Sequence, residues 1–231
     1  MLAVFIALVS IGCIGGGSDE TAGVTYSDKA VSEAMADLNE TFQNRLYTVQ
    51  YFQGKNKTRE MVSEFGFNNF EWLYNKANEN PSENAIPIVL FNYMGSAEAA
   101  AALKLEKTTS SEIEGKAKDA YPVAINFAEK IAKSDFENYF NQQMSEWYWR
   151  IGSNYTLGYN KSIEVTELEF KKAIKRAAEI GYDYIQFTKT KALEYYSAGD
   201  YDRALMYSIE LTCYGKFVFP SDSVYSSFCS R

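Results

Sequence analysis

Histidine is absent from this chain. That excludes Ser-His-Asp and Cys-His nucleophilic sites, histidine-type zinc sites and di-iron bundles built on Glu-x-x-His. Cysteine is scarce at three, one of them close to the start, so the remaining two cannot fill a structural zinc site. No Gly-x-x-x-x-Gly-Lys or Gly-x-Gly-x-x-Gly is present to cradle phosphates, and no acidic run has EF-hand spacing. No cofactor or metal is expected, and the chain reads as a non-enzyme. Positive charge is also short, with 23 Lys and Arg against 30 Asp and Glu, a net charge of −7. Nucleic acid is therefore not an expected partner, because phosphate binding relies on clustered Lys and Arg. The densest basic group, Lys171-Lys172 with Lys175-Arg176, sits among acids and reads as a solvated helix face. Long apolar runs are missing too. The stretch Leu2–Ile14 falls short of the roughly 20 residues that a spanning helix needs.

What that first stretch does contain is specific. Leu2–Ile11 is apolar but for Ser10, and Gly12, Cys13 and Ile14-Gly15-Gly16-Gly17 follow. An apolar segment of that length suits a secretory signal. With the small residue and cysteine after it, the segment resembles a membrane lipoprotein signal, archaeal lipoproteins in particular. It departs from the family pattern in having Ser10 three residues before the cysteine and no Lys or Arg ahead of it. The resemblance implies a signal peptide over 1–12, a lipidated Cys13 with a flexible tether over 13–26, and a single domain over 27–231. It places the protein at the extracytoplasmic face of the cell membrane, held by lipid. A cleaved secretory signal and an uncleaved apolar anchor are the alternatives.

Two further features bear on export. Cys213 and Cys229 form an even pair, which in an oxidising compartment is a candidate disulfide. A bridge would close a loop of about 17 residues and add roughly 3 kcal/mol; two buried, unpaired cysteines are the other outcome. Asn-x-Ser/Thr sequons stand at Asn39, Asn56, Asn154 and Asn160, acceptors only if the chain is exported.

From Ser27 onward the periodicity is helical. Val31, Met35, Leu38, Phe42, Leu46, Val49 and Phe52 follow one helix face, with Ser27 as N-cap. Thr58 can cap an aromatic-rich second helix, and Asn78–Pro81 breaks it. Short helices over about 84–94 and 97–107 come next. Ser111-x-x-Glu114, Ser134-x-x-Glu137 and Thr166-x-x-Glu169 read as capping boxes. Pro122 predicts a kink. Gly152–Ser162 reads as a loop. The longest helix spans about 164–197, with a seam through Phe170, Ile174, Ala177, Gly181, Tyr184, Thr188, Ala192 and Tyr195, where small residues admit a close neighbour. A last helix spans about 201–215. Only Phe217-Val218-Phe219 hints at period two. The expected fold is all-α: an antiparallel helical bundle or short helical-repeat array of about seven or eight helices.

Ala192, Tyr195, Gly199, Tyr201 and Ala204 follow the order and spacing of the tetratricopeptide repeat. The hairpin near 185–215 resembles one degenerate unit of it. Ser208 and Leu211 stand where that family has a bulky and a small residue, and no proline follows at the usual distance. An ordinary tight helical hairpin selects the same residue types.

Aromatic residues are abundant at 16%, with 18 Tyr, so some rings must lie at a surface. Trp147, Tyr148, Trp149, Tyr155 and Tyr159 cluster around one helix end and its loop. Consecutive rings about 100° apart cannot all face inward, so this group is a candidate ligand or partner surface. Glu71 and Glu146 each precede a tryptophan, where an apolar surround could raise a carboxyl pKa for hydrolysis. Acids beside core aromatics more often form the solvated edge of a packed face. The leading expectation is a lipid-anchored, extracytoplasmic, non-enzymatic module for a protein partner. The alternative is a small-molecule or solute-binding lipoprotein with an aromatic-lined pocket.

Overall fold

The structure, a computed structural model, describes residues 21–92, 96–151, 155–157 and 162–229, with the side chains of all but Ser96, 145–151 and Tyr155. The described chain is all-α with one small ribbon. Its elements are α1 (Asp28–Phe52), α2 (Lys57–Glu79), α3 (Pro81–Asn92), α4 (Ser96–Glu106), α5 (Ile113–Lys130), α6 (Lys133–Ile151), β1 (Tyr155–Leu157), β2 (Ile163–Val165), α7 (Glu167–Ser197), α8 (Tyr201–Val218) and α9 (Ser223–Ser226).

α8 is the axis of the domain. Every residue from Ala204 to Gly215 is buried, so the helix is covered on all sides, as a helix apolar all round must be. α4, α5 and α7 pack along it, with α2, α6 and α9 completing the wrap. Enclosure of one helix by neighbours from distant parts of the chain is a bundle arrangement. α3 is a second core element, buried from Asn84 to Phe91 and packed against α1, α2 and α7.

Small residues set the close approaches. On α7 a β-carbon at Gly181 would lie 2.6 Å from the Phe91 ring and closer still to Phe136. The seam through Ala177, Gly181 and Tyr184 is thus the place where α3 and α6 press their rings onto α7. On α1 the fully covered positions are Ala30, Ala34, Asp37 and Leu38, while Val31, Met35 and Phe42 are half-buried. The buried face lies beside the expected one because the small alanines let α3 approach.

The ends of the helices correct several local expectations. α2 begins under Asn56, whose side chain accepts from the Arg59 N–H at 3.0 Å, not under Thr58. Ahead of α5, the Thr109 N–H and hydroxyl both donate to the Glu112 carboxylate, at 3.1 and 2.6 Å, and the helix start has no side-chain cap. Ser111 and Glu114 do not form the box. α6 starts before Ser134, with the Asp135 carboxylate accepting from the Ala132 N–H at 3.1 Å. Thr166 and Glu169 do form a capping box. The stretch expected as a loop holds β1, paired antiparallel with β2 through Tyr155↔Val165, Thr156↔Glu164 and Leu157↔Ile163. Phe217 and Val218 are helical, the last residues of α8. α5 continues through Pro122.

The basic group on α7 is engaged in packing. Lys172 donates to the Val24 carbonyl at 2.8 Å and pairs with Glu83 at 3.0 Å, above the buried ring of Tyr26. Arg176 bonds Asn84 at 3.1 Å and Glu179 at 2.7 Å. Among the described residues, no single helix is long and apolar enough to cross a membrane.

Candidate functional site: an open cleft and two acids at the core

α6 carries Asp135, Asn138, Tyr139 and Gln142 at i, i+3, i+4 and i+7, so they share one face. The end of α8 faces them with Lys216, Phe217 and Val218, and Phe219-Pro220 closes one end. Between these walls lies an open cleft of about 530 Å³, within the range of roughly 300–1,000 Å³ usual for ligand sites. Its apolar floor is the Tyr139 ring, nearly parallel to Phe217 at 6.3 Å. Burial pushes the Tyr139 hydroxyl up to about 12, so it stays neutral and able to donate. The walls therefore offer amide, carboxylate and hydroxyl groups around aromatic surface. That combination suits reversible recognition of a polar chain lying along the helix.

The aromatic group expected from the sequence maps partly onto the same helix. Trp147, Tyr148 and Trp149 belong to the last turns of α6, and their side chains lie outside the described residues. Tyr155 sits on β1, opposite Val165. Tyr159 and Cys13 lie outside the described residues. The cleft is upstream on α6. Its signal was the i, i+3, i+4, i+7 recurrence of planar polar groups around Tyr139.

A second exposed aromatic group stands near the end of α1. Tyr47 and Tyr51 are 68% and 50% exposed, stacked at 6.4 Å, with the Lys55 ammonium 3.9 Å above the Tyr51 ring. Of the sequons, Asn39 and Asn56 are exposed, and Asn154 and Asn160 lie outside the described residues. The Asn39 side-chain oxygen accepts from the Tyr74 hydroxyl at 3.1 Å.

The carboxyl groups held in unusual surroundings are Glu98 and Glu210. Glu210 sits on α8 with no exposed surface. Its carboxyl accepts from the Tyr184 hydroxyl at 2.8 Å and from the Asn69 amide at 3.1 Å. Burial, and then the charge of Glu98, push it up to about 8, so it is mainly protonated at neutral pH. Burial also raises Glu98, against the pull of Arg45, whose guanidinium bonds it at 2.8 Å and also donates to the Gly66 carbonyl. The gap between the two acids, lined also by Phe91, Tyr184 and Tyr214, has room for about one water, about 10 Å³. Glu71 is half-buried on α2, and its neighbour Trp72 packs on Tyr184 and Phe187 at 5.7 and 5.4 Å. The Glu146 side chain lies outside the described residues. The structure does not bring Glu71 together with Glu98 and Glu210. The signal for Glu210 was its place inside an apolar run, between Ile209 and Leu211.

Cys213 and Cys229 are bonded, with Cα atoms 5.0 Å apart, inside the usual range of about 4.4–6.8 Å. The bridge ties the tail that carries α9 to α8. Gly215 makes room for it, since a β-carbon there would lie 2.7 Å from the Tyr225 ring. In the α7–α8 turn Gly199 has φ +74°, Ala192 and Ala204 are buried, and Tyr195 stacks on Tyr207 at 5.6 Å. Among the described residues no three acidic or cysteine side chains converge as a metal shell. Comparison of the chain with protein-family models, with curated proteins and with solved structures finds no match.

Proposed function

We propose that the protein is a non-enzymatic recognition module that works outside the cytoplasm, anchored by lipid on Cys13, and that it grips a protein partner in the α6–α8 cleft. The observation that carries the recognition half is the cleft itself: an open groove of about 530 Å³ with amide, acid and aromatic groups along one helix face. An open groove favours an extended partner over an enclosed solute. The polar gap at Glu98 and Glu210, with room for about one water, does not favour a solute either. The compartment half is supported by the Cys213–Cys229 bridge, since such bonds persist in oxidising surroundings, and by the resemblance of residues 1–17 to a lipoprotein signal.

The test has two arms. Intact mass of the protein extracted from its own membranes should begin at a lipidated Cys13; an unmodified full-length chain sinks the anchor. A photo-crosslinking residue at Asn138 should capture one defined protein, and the same residue at Lys29, far along the chain on α1, should not. Equal capture at both positions, or none at Asn138, sinks the cleft as the binding surface.

A further inference from the structure

A second hollow, separate from the α6–α8 cleft, lies where α4, the start of α5 and the bridged tail meet. It has a volume of about 410 Å³, again within the usual range for ligand sites of roughly 300–1,000 Å³. Its walls differ in kind from those of the cleft. Leu103 and Phe228 supply apolar surface, and Leu103 is half exposed. The disulfide sulfur of Cys229 adds to that surface. Three lysines, Lys104, Lys107 and Lys116, also line it. Lys116 has Glu112 at 3.6 Å. Among the described residues, Lys104 and Lys107 have no carboxylate within ion-pair distance. Elsewhere the lysines of this acidic chain are mostly matched to acids, as Lys172 is to Glu83 and Lys189 to Glu129. A pocket with unmatched positive charge on its rim and apolar walls is complementary to a molecule with an anionic head and a hydrocarbon tail.

We infer that this hollow is a binding site for a free, single-chain anionic amphiphile. The lysine ammoniums take the head group, and Leu103 and Phe228 cover the start of the chain. The walled shape argues for a free molecule over the face of a bilayer, which would call for a flat or convex basic surface. The Cys213–Cys229 bridge holds one wall in place, so the site belongs to the oxidised protein. The inference does not depend on the partner proposed for the cleft.

The test uses the disulfide-intact protein and isothermal titration with dodecyl phosphate below its critical micelle concentration. Dodecyltrimethylammonium, inorganic phosphate and two vesicle preparations, phosphatidylcholine alone and phosphatidylcholine with phosphatidylglycerol, serve as comparisons. Dodecyl phosphate should bind in a one-to-one ratio. It should bind at least about tenfold more tightly than the cationic amphiphile, since like charges at the rim repel. The double variant Lys104→Gln, Lys107→Gln should weaken binding about tenfold while leaving the circular dichroism melt unchanged. Leu103→Ser should weaken dodecyl phosphate but not inorganic phosphate. Equal affinity for the two amphiphiles, or an unchanged double variant, overturns the proposal. Binding to phosphatidylglycerol vesicles without binding to dodecyl phosphate overturns it in favour of a membrane surface.

Discussion

The hydroxyl of Tyr184 on α7 donates to the carboxyl of Glu210 on α8 at 2.8 Å, in the most enclosed part of the bundle. This bond fixes the rotation of α7 and α8 against each other around a group that prefers to be neutral. Burial and the nearby charge of Glu98 raise Glu210 from about 4.5 to about 8. The folded state then binds its proton more tightly than the unfolded state. The stability conferred by keeping Glu210 neutral is complete below the unfolded value. It declines as pH rises from about 4.5 and is lost through about 8. Urea unfolding at a series of pH values should show stability falling across that window by an amount on the order of a few kcal/mol. Glu210→Gln keeps the shape and removes the titration, so its curve should be flatter there. An equal slope in both proteins would remove Glu210 as the cause.

Loss of the Tyr184 hydroxyl should act in the same place. Tyr184→Phe leaves the ring contacts with Phe91, Trp72 and Tyr214 intact and takes away one of the two donors to Glu210. The expected cost is about 1–3 kcal/mol, that of a buried group losing a partner. The variant should also raise the pH at which the residual decline is centred, because that hydrogen bond holds the Glu210 value down. A drop in stability without that movement would mean that the hydroxyl acts through packing alone.

Gly181 is required by its neighbours and not by its backbone angles. Gly181→Ala places a methyl group against Phe91 and Phe136, on α3 and α6. Both rings are buried, so neither can swing out freely. Overpacking of this kind costs about 1–3 kcal/mol. Thermal unfolding should show it. Gly115→Ala, where a β-carbon meets open space, should be neutral or slightly stabilising, since alanine is the better helix former by about 1 kcal/mol.

These positions also show what the sequence could and could not reveal. The seam on α7 was legible because it repeats at helical spacing and because Ala177 and Gly181 are small. The capping box at Thr166 was legible from its Thr-x-x-Glu spacing; the Glu169 carboxylate also accepts from the Ser27 N–H at 2.9 Å and joins the starts of α1 and α7. The boxes at Ser111 and Ser134 were not, since Glu112 and Asp135 engage other backbone N–H groups, those of Thr109 and Ala132. Three-residue strands are too short for alternation to register, so β1 reads as loop and most of β2 as the start of the long helix. The apolar run around Glu210 marks α8 as buried, but the tyrosine and amide that receive its carboxyl come from α7 and α2, which the run does not encode. The cleft needs α6 and the end of α8 side by side, a long-range contact that periodicity does not encode.

Glu169 supplies a prediction of opposite sign to Glu210. Burial alone would raise it, but bonds from the Thr166 N–H and hydroxyl and from the Ser27 N–H outweigh that and hold it below the usual carboxylate value. Its contribution is present above the unfolded value and is lost as pH falls through the folded one. Glu169→Gln should therefore lower stability at neutral pH and make little difference in strong acid. Thr166→Ala removes the other half of the capping box and should cost about 1 kcal/mol. Unfolding curves at neutral and acid pH would check both; an acid-insensitive loss in Glu169→Gln would assign its role to shape.

The bridge between Cys213 and Cys229 closes a short loop, so its expected worth is about 3 kcal/mol. The loss on reduction should be felt unevenly. α8 is buried by α4, α5 and α7 whether or not the bridge is closed, and it should hold. The tail beyond Phe219 is otherwise held by Tyr225 against Gly215, Phe127 and Phe219, by Phe228 against the core, and by the short turn of α9. Reduction, or Cys229→Ser, should raise amide hydrogen exchange at 220–229 well before any change in the centre of α8. Gly215→Ala should mimic it with the bridge intact, because the added methyl group displaces Tyr225. Uniform loosening of α8 and the tail together would instead show that the bridge supports the whole core.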